Sequence, residues 1–305
     1  MYLLINTSIL FHCITFATRD YPINTFNKKY NLSIFFISFL LLFFFSNFNL
    51  SGQTFSLDSN GVTVKCSGCS NGDTGTVGGV TYTAVDNTTI RLTADGDWDT
   101  IVTTLVTDMS GLFSGDVDFN ENISSWHTVS VTTMEDMFRG ASAFNQDLSK
   151  WDTSGVLNMQ QSFYNAIAFT NNLNDWDVSS VTDMDGMFRG ATSFNQPLNS
   201  WTVSNVLSMS RMFQEATSFN QPLNNWNVSN VKYMQFLFRQ SDFNQPLNSW
   251  TVSNVLNMSE MFFNTPFNQN IDNWNVSNVT NMSKLFRGTD FNQPLNSWTV
   301  SKVTN

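Results

Sequence analysis

Histidine is almost missing from this chain, which has two, and beyond residue 53 only His127 remains. That removes the side chain most often used as a general base or a transition-metal ligand. Charge is scarce as well: charged residues make up 12%, and the net balance is −10. Residues 54–305 hold 11 basic and 23 acidic residues, because Arg19, Lys28 and Lys29 stand against Asp20 before them. Such an acidic stretch offers no footprint for phosphate backbones or anionic membrane surfaces, which argues against nucleic acid as a partner. Cysteine is limited to three: Cys13 near the start, and Cys66 and Cys69 in a Cys-Ser-Gly-Cys turn. In an exported chain the expected use of that pair is a small loop-closing disulfide. A metal half-site would need further ligands nearby, and nothing thioredoxin-like surrounds the pair.

Catalytic and metal-binding patterns are missing too. The acidic pairs Glu135-Asp136, Asp183/Asp185 and Asp95/Asp97 are two-ligand fragments, whereas calcium takes about six to eight oxygens. There is no nucleophile elbow and no paired-histidine zinc motif. The expectation is a protein that is not an enzyme, with no catalytic residues, no cofactor and no metal.

One long hydrophobic run exists, IFFISFLLLFFF at 34–45, preceded by Lys28 and Lys29 and followed by small and polar residues. It is short for a membrane span, which needs roughly 20 apolar residues. Residues 1–53 are therefore read as a secretory signal peptide or leader. Leu50-Ser51-Gly52-Gln53 resembles a lipoprotein signal box, but Gln53 stands where the lipid-bearing cysteine would be.

What the chain has is repetition. FNQPLNSW-x-VSNV occurs twice letter for letter and twice more with one residue changed, inside a block that recurs eight times. The blocks open at Met109, Met134, Met159, Met184, Met209, Met234, Met258 and Met282, with steps of 25 and finally 24 residues. A tryptophan keeps the same register at Trp126, Trp151, Trp176, Trp201, Trp226, Trp250, Trp274 and Trp298. A fixed period in the twenties predicts a solenoid whose units bury their apolar faces against one another. Residues 54–105 lack the repeat and show β-branched stretches broken by Asn-Gly, Gly-Asp and Gly-Gly signals. They read as a β-rich N-terminal cap of strands and hairpins.

Within a repeat the apolar period changes. Val181, Met184, Met187, Phe188 and Ala191 share one side of a helix of 3.6-residue period, with Gly190 to end it. Asn257-Met-Ser-Glu260 looks like a capping box. Trp201 and Val203 then alternate like a short strand, and Ser204-Asn205 turns into the next unit. The asparagine after the second Phe recurs at Asn120, Asn145, Asn195, Asn220, Asn244, Asn268 and Asn292, with Thr170 in the third copy. It reads as a hydrogen-bonded ladder between turns.

The compound pattern Val-x-x-Met-x-x-Met-Phe, Phe-Asn-Gln-Pro-Leu, Trp-x-Val-Ser-Asn-Val resembles the repeat of BspA-type leucine-rich-repeat surface proteins. That repeat also occurs in mycoplasma surface lipoproteins and flavobacterial secreted proteins. The resemblance covers 106–305 and implies a secreted or cell-surface protein, in some members linked to adhesion. The fold class expected is an α/β solenoid, a leucine-rich-repeat-like right-handed coil with one short strand and one short helix per 24–25-residue turn. Residues 106–305 would be its eight repeats, truncated in mid-repeat, because Ser301-Lys-Val-Thr-Asn305 stops one residue before the next expected Met.

The tryptophans are expected to be a structural core ladder. The candidate contact stripe is Arg139, Tyr164, Arg189, Gln214, Arg239, Asn264 and Arg287, taken as the residues that follow the Phe of each Met-Phe pair. The functional expectation is adhesion or recognition of an extracellular protein or cell-surface ligand. The alternatives are a carbohydrate-binding module that stacks polysaccharide on exposed aromatics, and a stalk without a ligand. Membrane attachment would come only through the leader or a C-terminal anchor beyond Asn305.

Overall fold

The β-branched stretches ahead of the repeats pair where their turn signals place them. In the computed structural model, which describes residues 52–305, β1 (Thr54–Leu57) and β2 (Val64–Ser67) form an antiparallel pair. The strands β3 (Thr74–Val77), β4 (Val80–Asp86) and β5 (Ile101–Leu105) form a second sheet, antiparallel between β3 and β4 and parallel between β4 and β5. Gly78 and Gly79 join β3 to β4 with φ of +59° and +87°, as a type I′ hairpin turn needs at both central residues. A disulfide joins Cys66 and Cys69. Apart from its last two residues, the leader expected over 1–53 lies outside the described residues.

After β5 the expected architecture is overturned. Among the described residues there is no α-helix, and regular sheet is confined to 54–105. Each repeat contributes one bridging residue in place of a strand, the parallel chain running Asp108, Thr133, Asn158, Asp183, Ser208, Tyr233, Asn257, Asn281. The leucine-rich-repeat-like right-handed coil, with a helix and a strand per turn, is not what these residues form.

The reason lies in two backbone positions per repeat. The second residue after each opening Met has positive φ in all eight copies: Gly111, Asp136, Gln161, Gly186, Arg211, Phe236, Glu260 and Lys284. The sixth residue does too: Gly115, Gly140, Asn165, Gly190, Glu215, Gln240, Asn264 and Gly288. A left-handed residue every four positions stops a right-handed helix from propagating. Met137, Arg139 and Ala141 instead donate their N–H groups three residues back, to Met134, Asp136 and Phe138. The positive φ then falls third in the first and last of these turns, where a type II turn needs it. The alternate N–H groups, of Met134, Asp136, Phe138 and Gly140, point to the following repeat and donate to Asn158, Gln160, Ser162 and Tyr164. A ribbon of fused turns thus satisfies its backbone half internally and half through its neighbour.

This ribbon turns the same residues inward that a helix would. Val181, Met184, Met187, Phe188 and Ala191 are all fully buried. The phenylalanines make two columns: Phe188 lies 4.2 Å from Phe194 within its repeat and 5.8 Å from Phe213 in the next. The register reaches back into the cap, where Trp98 lies 25 residues before Ile123, and Ile101 25 before Trp126. Both are buried, and Trp98 packs edge-on to Phe113 at 4.8 Å. Thr103 of β5 donates to His127 O at 3.0 Å, as Thr128 does to Asp152 O one repeat later. The cap also closes the first ribbon: Arg91 donates to Ser110 O at 2.8 Å, a carbonyl that a preceding repeat would otherwise meet. Where repeats shorten to 24 residues, a hydroxyl bridges the gap. Ser241 Oγ donates to Phe238 O at 2.7 Å, and Thr265 Oγ1 to Phe262 O at 2.8 Å.

A side-chain ladder runs outside the core. The N–H of Asn145 donates to Asn120 Oδ1 at 2.9 Å, that of Asn220 to Asn195 Oδ1, and that of Asn244 to Asn220 Oδ1. The N–H of Thr170 donates to Asn145 Oδ1 at 2.9 Å, but the Thr170 side chain has no amide carbonyl to accept the N–H of Asn195. Thr170→Asn is therefore expected to restore a rung and stabilise the protein by about 0.5–1.5 kcal/mol. A rise in urea midpoint at unchanged m-value would show it; no rise would mean that water already serves Asn195.

Candidate functional site

The turn ribbon presents its remaining side chains to solvent, and the most chemically distinctive row follows the Phe of each Met-Phe pair. In order the row reads Arg139, Tyr164, Arg189, Gln214, Arg239, Phe263 and Arg287. Six of these are the residues expected from sequence. The seventh, Asn264, is corrected: it lies one position on, in the left-handed column with φ +51°, and Phe263 takes its place in the row. The shift matters because the row then alternates arginine with aromatic rings on both sides of Gln214.

The guanidinium of Arg139 lies 5.4 Å, and that of Arg189 4.9 Å, from the Tyr164 ring centroid. Arg239 and Arg287 flank Phe263 in the same way, at 5.0 and 5.7 Å. Each ring is thus sandwiched between cations from the two neighbouring repeats, which is favourable by about 0.5–1 kcal/mol per contact at exposed sites. The sandwich needs the 24–25-residue step, since only a stacked register brings these positions together.

A second row, in the left-handed column two after Met, was not singled out from sequence. There Arg211 lies 5.2 Å from the Phe236 centroid and 3.3 Å from Asp185. Burial pushes the Asp185 carboxyl up, and the charge of Arg211 only partly offsets this. Glu260 joins the rows, bonded to Arg239 at 2.9 Å and Lys284 at 3.1 Å. Burial acts against its ionisation, but hydrogen bonds from Lys284 and Arg239 outweigh it and hold its carboxyl below the usual range. The signal that could have found this row was the Gly at 111 and 186, which marks the column as left-handed.

The other candidate residues lie elsewhere. Trp126, Trp151, Trp176, Trp201, Trp226, Trp250 and Trp274 are buried, and Trp298 is half-buried. Each indole N–H donates to a carbonyl of the preceding unit, as Trp201 does to Leu173 O at 2.8 Å and Trp298 to Ile271 O at 3.1 Å. The seven buried rings leave no indole face on which a sugar could stack, and of the ladder only Trp298 keeps part of its ring exposed. Of the acidic pairs, Asp183 accepts the N–H of Asp185 at 2.8 Å, and Glu135 accepts from Asn158 at 2.9 Å. These carboxylates hold turns and neighbouring repeats together. Among the described residues no group of three or more His, Cys, Asp or Glu is placed to hold a metal ion.

Comparison with known proteins adds one finding. A family model described as "Mycoplasma protein of unknown function, DUF285" matches at residues 82–179, 148–242, 168–266 and 241–305. The overlapping matches reflect the repeat, and the first begins inside β4, ahead of the first repeat methionine. No curated protein and no solved structure matches the chain.

Proposed function

The chain belongs to the repeat family described as Mycoplasma protein of unknown function, DUF285, and from that premise we propose a non-enzymatic recognition protein. Its place is secreted or at the cell surface, as for the BspA-type surface proteins that its motifs resemble. Its ligand is an extracellular protein or a cell-surface component, met along the arginine–aromatic row of the turn ribbon.

The observation that carries this reading is the row itself, Arg139–Tyr164–Arg189 and Arg239–Phe263–Arg287. Arginine and aromatic side chains are the types most enriched at protein interfaces and their energetic hot spots. Here they stand in register on a backbone locked by inter-repeat hydrogen bonds, so little ordering is lost on binding. A stalk without a ligand is the second reading. It is favoured by the fact that these arginines already contact their own rings and carboxylates.

The test is a parallel binding screen of the purified protein against matrix proteins, intact cells and a polysaccharide panel at physiological salt. Saturable protein or cell binding is expected, weakened about tenfold or more by the double change Arg139→Glu and Arg287→Glu. Binding to polysaccharide alone would sink the protein-recognition reading. No binding at all would favour the stalk.

A further inference from the structure

The row is not chemically uniform. Arg189, Arg211, Gln214, Phe236, Arg239 and Glu260 line a recess of about 220 Å³ that opens across four successive repeats. Three guanidinium groups converge there, in a chain whose net charge is −10. Two are ion-paired: Arg211 with Asp185 at 3.3 Å, and Arg239 with Glu215 at 3.5 Å and Glu260 at 2.9 Å. A guanidinium carries five N–H donors, so these pairings fix the two side chains without exhausting them.

Arg189 differs from both. Among the described residues it has no ion-pair partner, and its Nε is buried with no hydrogen-bond acceptor. Tyr164 stacks against it at 4.9 Å and limits where it can turn. A buried donor without an acceptor on a charged group is uncommon in a folded protein, because the N–H has lost water and gained no hydrogen bond in its place. The missing partner is an acceptor, and the preferred acceptor for a planar N–H fork is a carboxylate.

We propose that this recess binds an aspartate or glutamate side chain of a partner protein, with Arg189 and Arg211 as its donors. The proposal rests on the protein-recognition reading above and names the chemistry that would be recognised. Glu260, whose carboxylate also lines the recess, favours a singly charged carboxylate over a doubly charged phosphate. Phe236, which also lines the recess and carries Arg211 over its ring at 5.2 Å, supplies an apolar surface for the methylene stem of an acidic side chain. Gln214, another lining residue, is only 6% exposed, and its Nε2 donates to Glu215 at 2.8 Å.

The experiment uses the full chain and a fluorescein-labelled octaglutamate peptide, read by anisotropy at physiological salt. Octaglutamine, polygalacturonate and inorganic phosphate are the comparison arms. Saturable binding of octaglutamate and not octaglutamine is expected. Arg189→Gln should weaken it about tenfold, and Arg189→Lys should restore only part. Glutamine already occupies this row at Gln214, so the ribbon accommodates it. Lys150→Gln, at an exposed position outside both rows and the recess, should leave octaglutamate binding unchanged. Unaltered octaglutamate binding by Arg189→Gln would overturn the proposal. So would the lack of saturable octaglutamate binding, or a preference for polygalacturonate or phosphate. If a partner from the screen is lost with Arg139→Glu and Arg287→Glu but not with Arg189→Gln, the recess assignment falls and the recognition row stands.

Discussion

Trp201→Ala should destabilise the protein by about 3–5 kcal/mol, the range for deleting a buried tryptophan from a packed core. Trp201 is 3% exposed, stacks on Trp226 at 6.2 Å and tilts against Phe188 at 6.2 Å. Its Nε1 donates to Leu173 O at 2.8 Å, so the indole joins two repeats by packing and by a hydrogen bond at once. Trp201→Phe separates the two contributions. It keeps a ring in the column but leaves the Leu173 carbonyl without its donor, which costs about 1–3 kcal/mol when buried. The same truncation at half-buried Trp298 should cost less, because less surface is lost. Chemical denaturation followed by far-UV circular dichroism gives all three values, with hydrogen exchange to show whether unfolding stays cooperative along the array. A loss below about 1 kcal/mol for Trp201→Ala would mean that the column is not a core.

The inward-facing set was legible because spacing alone determines it. A helix and a chain of three-residue turn closures both bring positions 181, 184, 187, 188 and 191 to one side, so the buried residues come out the same. What periodicity could not decide is where the N–H groups go. In a helix the N–H of Phe188 would return to Met184; here it crosses to Met212 of the next repeat. The deciding cue was the column Gly115, Gly140, Asn165, Gly190, Asn264, Gly288, rich in the two residue types that enter the left-handed region most easily. Gly190 by itself reads as a helix end. Only the column shows that it is one turn in a ribbon.

The site was legible in part for the same reason. Counting from the Phe placed six residues in the row, and a slip of one at the Phe262-Phe263 doublet moved the seventh to Asn264. The second row, with Arg211, Phe236 and Glu260, was hidden because a helix would aim those positions differently. The ladder asparagines needed no such knowledge. Their spacing equals the repeat, and the single Thr170 falls where the chain of rungs is interrupted.

Gly190→Val is expected to cost about 2–4 kcal/mol, from backbone strain together with overlap. Gly190 is buried with φ +66°, a conformation that a β-branched residue rarely adopts. A side chain there would also run into Asn165 of the preceding repeat, whose amide lies over the glycine. Gly140 occupies the same column with φ +73°, yet a Cβ there would meet only the backbone of Gly115, at 3.6 Å. Gly140→Val therefore carries the strain without the overlap and should cost less, near the lower figure. Removing the obstacle with Asn165→Gly should recover part of the loss in the double variant, and the coupling measured by that cycle is the overlap itself. If Gly140→Val and Gly190→Val cost the same and the cycle shows no coupling, the asparagine does not lie over its neighbour. If neither change matters, the left-handed column is not part of the fold. Glu215 and Gln240 occupy this column in the next two repeats, with φ of +62° and +57°. The neighbour's hydrogen bonds offset that strain: the N–H of Glu215 donates to Arg239 O at 2.8 Å, and that of Gln240 to Phe263 O at 2.8 Å. The ribbon thus tolerates a non-glycine residue at this position wherever the repeat before it leaves room, and Gly190 stands where Asn165 does not.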